Sequence, residues 1–148
     1  MTTDPANLKD DYGHAVEVVQ HELGITIDAY AQDGLAEYAT TQDLERFARF
    51  YLTHRHALND VFMSSVVDAV LVAILYHEDK PINQAHLELV RQVIKAAAED
   101  MWSCSVLRHY LEPTGDWPHK VLIDRLIREC VSVEAIKRRV AQITEDAP

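Results

Sequence analysis

Glycine occupies only four of the 148 positions, and no Asn-Gly or Asp-Gly pair stands where a hairpin could turn. Alternating runs of β-branched residues are missing as well, so the chain offers no strand signal and an all-α fold is expected. Cysteine is limited to Cys104 and Cys130, neither in a C-x-x-C pair. Both read as small core residues of a protein in a reducing cytoplasm. The N-terminus lacks the charged start and apolar middle of a signal peptide, which again points to the cytoplasm. Long hydrophobic runs are absent too. The longest, Val61 to Tyr76, contains Ser64, Ser65 and Asp68. A membrane span takes about 20 apolar residues, and a central Asp opposes insertion by about 2.5–3.5 kcal/mol. The run is therefore expected as a buried helix.

Positive charge is scarce and unevenly placed. The net charge is −10, and residues 1–43 hold nine acids against Lys9 alone, a balance of −8. Only residues 119–139 run basic, with six Lys or Arg against Asp124, Glu129 and Glu134. A phosphate backbone would be repelled by such a chain, which argues against nucleic acid as a direct ligand.

What is present is helical periodicity on the scale of one domain, residues 1–148, with 1–4 and 144–148 expected to fray. The first apolar stripe, Leu8, Tyr12, Val16, Val19 and Leu23, predicts a helix from Pro5 to Leu23, capped by Asp4 and closed by Gly24. A weaker helix is expected over Ile27 to Tyr38. A third, opened by Thr40 or Thr41, carries Leu44, Phe47, Tyr51 and Leu58. The Asp60–Tyr76 helix is apolar on all sides, which places it at the centre. A long helix from Asn83 to Leu111 is expected to kink near Trp102-Ser103. After the loop "EPTGDWP", Asp116 and Ser132 are positioned to cap two more helices. The expected architecture is a compact bundle of six to seven helices.

Catalytic signatures are few. There is no G-x-S-x-G, H-E-x-x-H or glycine-rich phosphate loop. His14, Glu17 and His21 fall on one face of the first helix, a spacing that could ligate zinc. That face lies opposite the apolar stripe, where no surrounding groups would orient the imidazoles. It reads as a solvated face, with no metal or cofactor expected. Asp68, alone in an apolar helix, needs a partner, since an unpaired buried carboxylate is costly. Arg108 falls on the stripe of Val90, Ala97 and Met101 if the long helix is continuous, so a buried Asp68–Arg108 pair is expected, with His54 as the second choice.

Arg49 and His54 form R-x4-H, and Arg49 and His56 form R-x6-H. This spacing is similar to the motif of HEPN-type ribonucleases, a resemblance that implies Arg and His acting on an RNA phosphate. The alternative expectation is therefore a small helical RNase or metal-dependent enzyme using Arg49, His54 and Asp68. Phe50 stands where that family usually has a polar residue. The stretch from Val67 to Lys95 also resembles the TerB-like helical family, through Glu78 and Asp79 alone.

The stronger pattern lies on the N-terminal surface. Asp10, Asp11 and Tyr12 are followed by Asp28, Tyr30, Asp33, Glu37 and Tyr38. Clustered carboxylates steer basic partners, and tyrosine is enriched among interface anchors. In size and charge the chain resembles small acidic immunity, antitoxin, anti-CRISPR and inhibitor proteins. That likeness implies a non-enzymatic binder of a basic or nucleic-acid-handling protein. Self-association into a homo-oligomer is compatible with the same surface.

Overall fold

The computed structural model describes residues 11–25, 44–75, 82–111 and 120–146. These residues form seven α-helices, with no strand among them. They are α1 (Tyr12–Leu23), α2 (Leu44–His54), α3 (Asp60–Leu75), α4 (Gln84–Ala97), α5 (Met101–Leu111), α6 (Lys120–Cys130) and α7 (Val133–Asp146). No described helix is long and apolar enough to cross a membrane. The expectations over Ile27–Tyr38, Asp4, Pro5, Thr40, Thr41 and Asp116 lie outside the described residues.

The central position of α3 follows from its composition. It packs against α1, α2, α4, α5 and α6, and buries Phe62, Met63, Val66, Val67, Ala69, Val70, Leu71, Ala73 and Ile74. Asn59 starts it by accepting the Phe62 N–H at 3.0 Å. It is not covered on every side, however. Val61 is exposed, while Ser64, Ser65, Asp68 and Val72 are only half-buried. At i, i+3, i+4, i+7 and i+11 these positions form a single stripe.

Helix α1 begins later than the periodicity suggests. Asp11 has an extended backbone (φ −86°, ψ 105°) and its carboxylate accepts the His14 N–H at 3.2 Å, so the helix starts at Tyr12 rather than running on from Pro5. The far end follows the expected rule. Gly24 adopts φ 64°, the left-handed conformation of a helix terminus. The Arg46 guanidinium also donates to the Leu23 carbonyl there. Helix α7 continues to Asp146, into the tail expected to fray.

The single helix expected from Asn83 to Leu111 is two. Asn83 caps α4 through the Ala85 N–H at 2.7 Å. At the other end, Glu99 N–H bonds back to Ala96 O and Asp100 N–H to Ala97 O, tightened turns that stop the helix before Trp102. Asp100 then begins α5, its carbonyl accepting from Cys104 N–H at 2.8 Å. Because the break falls at Ala98–Asp100, the inward face of α5 is out of phase with that of α4. It consists of Ser103, Cys104, Leu107 and Tyr110.

Candidate functional site

The break corrects the expected Asp68–Arg108 pair. On a continuous helix Arg108 would share the inward stripe; in α5 it is exposed. Tyr110, two residues further on, points inward instead, and its hydroxyl donates to Asp68 Oδ1 at 2.7 Å. Asp68 is half-buried and bonded to a neutral donor. Tyr110→Phe should therefore cost about 1–3 kcal/mol, the range for removing a partner from a buried polar group. Asp68→Ala should fall short of the ~3–5 kcal/mol expected on breaking a buried ion pair. Urea unfolding of both variants checks this; a larger loss for Asp68→Ala would mean that a cation depends on it.

His54, the other candidate partner of Asp68, is engaged elsewhere. Its Nε2 lies 2.8 Å from Glu22 Oε2, joining α2 to α1, and its ring lies 4.6 Å from that of Phe50, tilted by 43°. Arg49 is exposed and pairs with Glu45 at 2.9 Å, one turn back on α2. His56 is exposed. The structure thus gives Arg49, His54 and Asp68 three separate partners on three different elements. His14 is half-buried, with Glu17 and His21 exposed. Among the described residues no group of three His, Cys, Asp or Glu side chains could hold a metal ion.

A polar cluster that the sequence reading did not pick out lies where α2, α5 and α7 meet the α4–α5 junction. The buried Tyr51 hydroxyl donates to Ser103 Oγ at 3.3 Å, and Ser103 Oγ donates to Asp100 Oδ2 at 3.1 Å. Arg55 donates to Ala96 O at 2.7 Å and to Glu99 Oε2 at 2.6 Å. Arg139 reaches the Glu99 carbonyl from α7 at 3.0 Å. Burial raises the Tyr51 and Asp100 pKa values, and in the case of Asp100 the nearby Asp60 carboxylate adds to the effect. The bond from Arg55 lowers that of Glu99. Burial likewise raises the thiols of Cys104, which is buried, and Cys130, which is half-buried.

A signal for this cluster was present. Asp100 precedes an apolar run with Ser103 at i+3, the spacing of a helix cap. It also leads to a test. A carboxyl whose pKa rises on folding holds its proton more tightly in the folded chain. Its contribution is therefore fully favourable below the unfolded value, ordinarily 3.8, and is lost as pH rises through the folded value. Asp100→Asn keeps the cap without the charge, so it should unfold at higher urea than wild type at neutral pH. The advantage should shrink as pH falls towards 3.8. An Asn variant less stable at neutral pH would show that the charge itself holds the junction.

The partner-facing residues divide between described and undescribed segments. Asp11 is exposed and Tyr12 is 49% exposed, its ring edge-on to Phe62 at 5.4 Å. Asp10, Asp28, Tyr30, Asp33, Glu37 and Tyr38 lie outside the described residues. Among the described helices, charge is sorted by position. Helices α1, α3 and α5 carry Glu17, Glu22, Asp60 and Asp68 against Arg108 alone, a balance of −3. Asp11 and Asp100 sit at two of their starts. Helices α2, α4, α6 and α7 hold ten Lys or Arg against seven acids, a balance of +3. On α7 an open groove of about 310 Å³ is lined by Ala135, Arg138, Arg139 and Gln142. Helices α1 and α5 both pack on α3, as do α2, α4 and α6. Comparison with protein-family models, with curated proteins and with solved structures finds no match for this chain.

Proposed function

We propose that this protein is a non-enzymatic binding module whose acidic side docks on a basic, nucleic-acid-handling protein, in the manner of an inhibitor, immunity protein or antitoxin. The observation that carries this reading is the sorting of charge. The −8 balance of residues 1–43 includes Glu17 and Glu22 of α1, and α3 and α5 add Asp60 and Asp68 against Arg108, a further −1. Such a surface attracts a basic partner at long range and repels nucleic acid, so it competes with nucleic acid for the same protein. The engagement of Arg49 by Glu45, His54 by Glu22 and Asp68 by Tyr110 supports binding over catalysis.

The test is capture from source cells with the full chain, beside a variant in which Glu17, Asp28, Asp33 and Glu37 are all Lys. The wild type should retain a protein of basic isoelectric point that the variant loses, with the variant's helical circular dichroism unchanged. Retention of the same protein by both chains, or capture only of acidic proteins, would overturn the reading.

A further inference from the structure

The uncovered stripe of α3 runs beside a matching one on α5. One contact and one electrostatic influence indicate their relation. Asp60 lies close enough to Asp100 to act on its carboxyl, and Asp68 accepts from Tyr110 eight and ten residues further along. The two helices therefore run parallel, with both starts at the same end. On α5, Trp102 and His109 are exposed and Val106 is half-buried, at i, i+4 and i+7. They fall on the flank of the helix next to Tyr110 and away from Cys104, which faces Ile136 of α7. At the shared end, Tyr12 of α1 is 49% exposed, Val61 44% and Trp102 39%. Asp11, Asp60 and Asp100 stand beside them in sequence, each next to the start of its helix. The two stripes flank a furrow of mixed character between parallel helices, about 16 Å long from Val61 to Val72. Val61, Val72, Trp102 and Val106 are its apolar members, with Ser64, Ser65 and His109 between them, carboxylates at its head and Asp68 midway.

We propose that this furrow is the docking groove for a basic amphipathic helix of the partner protein, an inference that rests on the reading under Proposed function. The furrow between two parallel helices is the seat into which a third helix packs its ridges. Its apolar members, Val61, Val72, Trp102 and Val106, call for apolar anchors on one face of that helix, at i, i+3, i+4 and i+7. Charge selects among the occupants. A second copy would set Asp60, Asp68 and Asp100 against their own equivalents, a like-charge contact that opposes pairing. The remaining segments of this chain have an excess of the same sign. Residues 26–43 hold Asp28, Asp33, Glu37 and Asp43 and residues 112–119 hold Glu112 and Asp116 with no Lys or Arg, while residues 1–10 hold Asp4 and Asp10 against Lys9 and residues 76–81 hold Glu78 and Asp79 against Lys80. A helix bearing Lys or Arg beside its apolar anchors is complementary to both features at once.

The experiment titrates the full chain against two fluorescently labelled synthetic peptides of identical Leu and Lys composition. One has Leu at i, i+3, i+4 and i+7; the other is shuffled so that no apolar face can form. The patterned peptide should bind about tenfold or more tightly than the shuffled one. Val61→Arg and Trp102→Ala should each weaken the patterned peptide by about tenfold and leave the shuffled one unchanged. Both sites are exposed enough for the variants to fold, which circular dichroism verifies; if one does not, the other carries the test. Equal binding of the two peptides, no binding of either, or indifference to both substitutions overturns the groove. The same holds for a dimer that Val61→Arg dissociates, because a second copy would then be the occupant. None of these outcomes touches the acidic-surface reading, which fails only if the captured partner ignores the charge reversals.

Discussion

Tyr51→Ala should lower the unfolding free energy by about 3–5 kcal/mol, while Tyr51→Phe should lower it by only about 0.5–1.5 kcal/mol. Tyr51 is 0% exposed and among the largest fully buried side chains. Truncation to Ala would leave a cavity between α2 and α5 that the surrounding helices cannot fully close, because the interior is close-packed. Phe keeps the ring and removes only the hydroxyl, whose hydrogen bond goes to Ser103 Oγ. Ser103 retains its bond to Asp100 at 3.1 Å, and Arg55, which also acts on the Tyr51 hydroxyl, keeps the Ala96 carbonyl and the Glu99 carboxylate. Urea unfolding of the two variants separates packing from hydrogen bonding at one position. Equal losses would mean that the hydroxyl network, rather than the ring, holds α2 against the α4–α5 junction.

That junction marks where the sequence stopped being legible. The helical class, the central place of the Asp60–Leu75 helix, the Gly24 terminus and the Asn83 and Ser132 starts could all be read from local pattern, because each rests on residues within one turn. The Ala98–Asp100 break could not. Three consecutive alanines, Ala96 to Ala98, are strong helix formers, and nothing in their periodicity says that Arg55 will take the Ala96 carbonyl from the turn after α2 at 2.7 Å. Once the break is misplaced, the phase after it drifts: Cys104 is still expected inward and is buried, but the residues beyond it are not placed correctly. Arg108 is then assigned inward, Tyr110 is passed over, and Asp68 is given an ion in place of a hydroxyl.

Legibility of the candidate surface divides in the same way. Net charge over residues 1–43 is a property of the sequence alone, and it pointed to Asp11 and Tyr12, both exposed. The sorting of Lys and Arg onto α2, α4, α6 and α7 depends instead on which helices become neighbours, a long-range outcome. The stripe Val61, Ser64, Ser65, Asp68 and Val72 was half visible. Two serines and an aspartate at helical spacing mark a face that is not fully buried. The surrounding valines hid it, making the helix look apolar on every side.

Association with a basic partner should be fast at low ionic strength and should slow steeply as salt is added, with the four-site reversal of Glu17, Asp28, Asp33 and Glu37 to Lys removing most of that dependence. The physical basis is screening. The Debye length falls from about 30 Å at 0.01 M to about 8 Å at 0.15 M, so the field of an acidic side reaches an approaching protein only in dilute salt. Steered association runs up to about 10⁸–10⁹ M⁻¹s⁻¹ at low salt, against about 10⁵–10⁶ M⁻¹s⁻¹ without steering. The wild type should therefore lose one or more orders of magnitude in association rate across that salt range, on the order of that gap. The reversed chain should begin near the unsteered rate and change little. Dissociation should respond to a different residue. Tyr12, 49% exposed but held edge-on to Phe62, is anchored on the central helix, and an anchored aromatic contributes buried contact on docking. Tyr12→Ala should accordingly speed dissociation and leave the association rate and its salt slope near wild type, since affinity among variants of one interface is set mainly by dissociation. Stopped-flow mixing with the captured partner at two salt concentrations reads both effects. If the wild-type association rate is flat in salt, the acidic side plays no part in encounter, and the basic face of Arg125, Arg128, Arg138 and Arg139 becomes the surface to test.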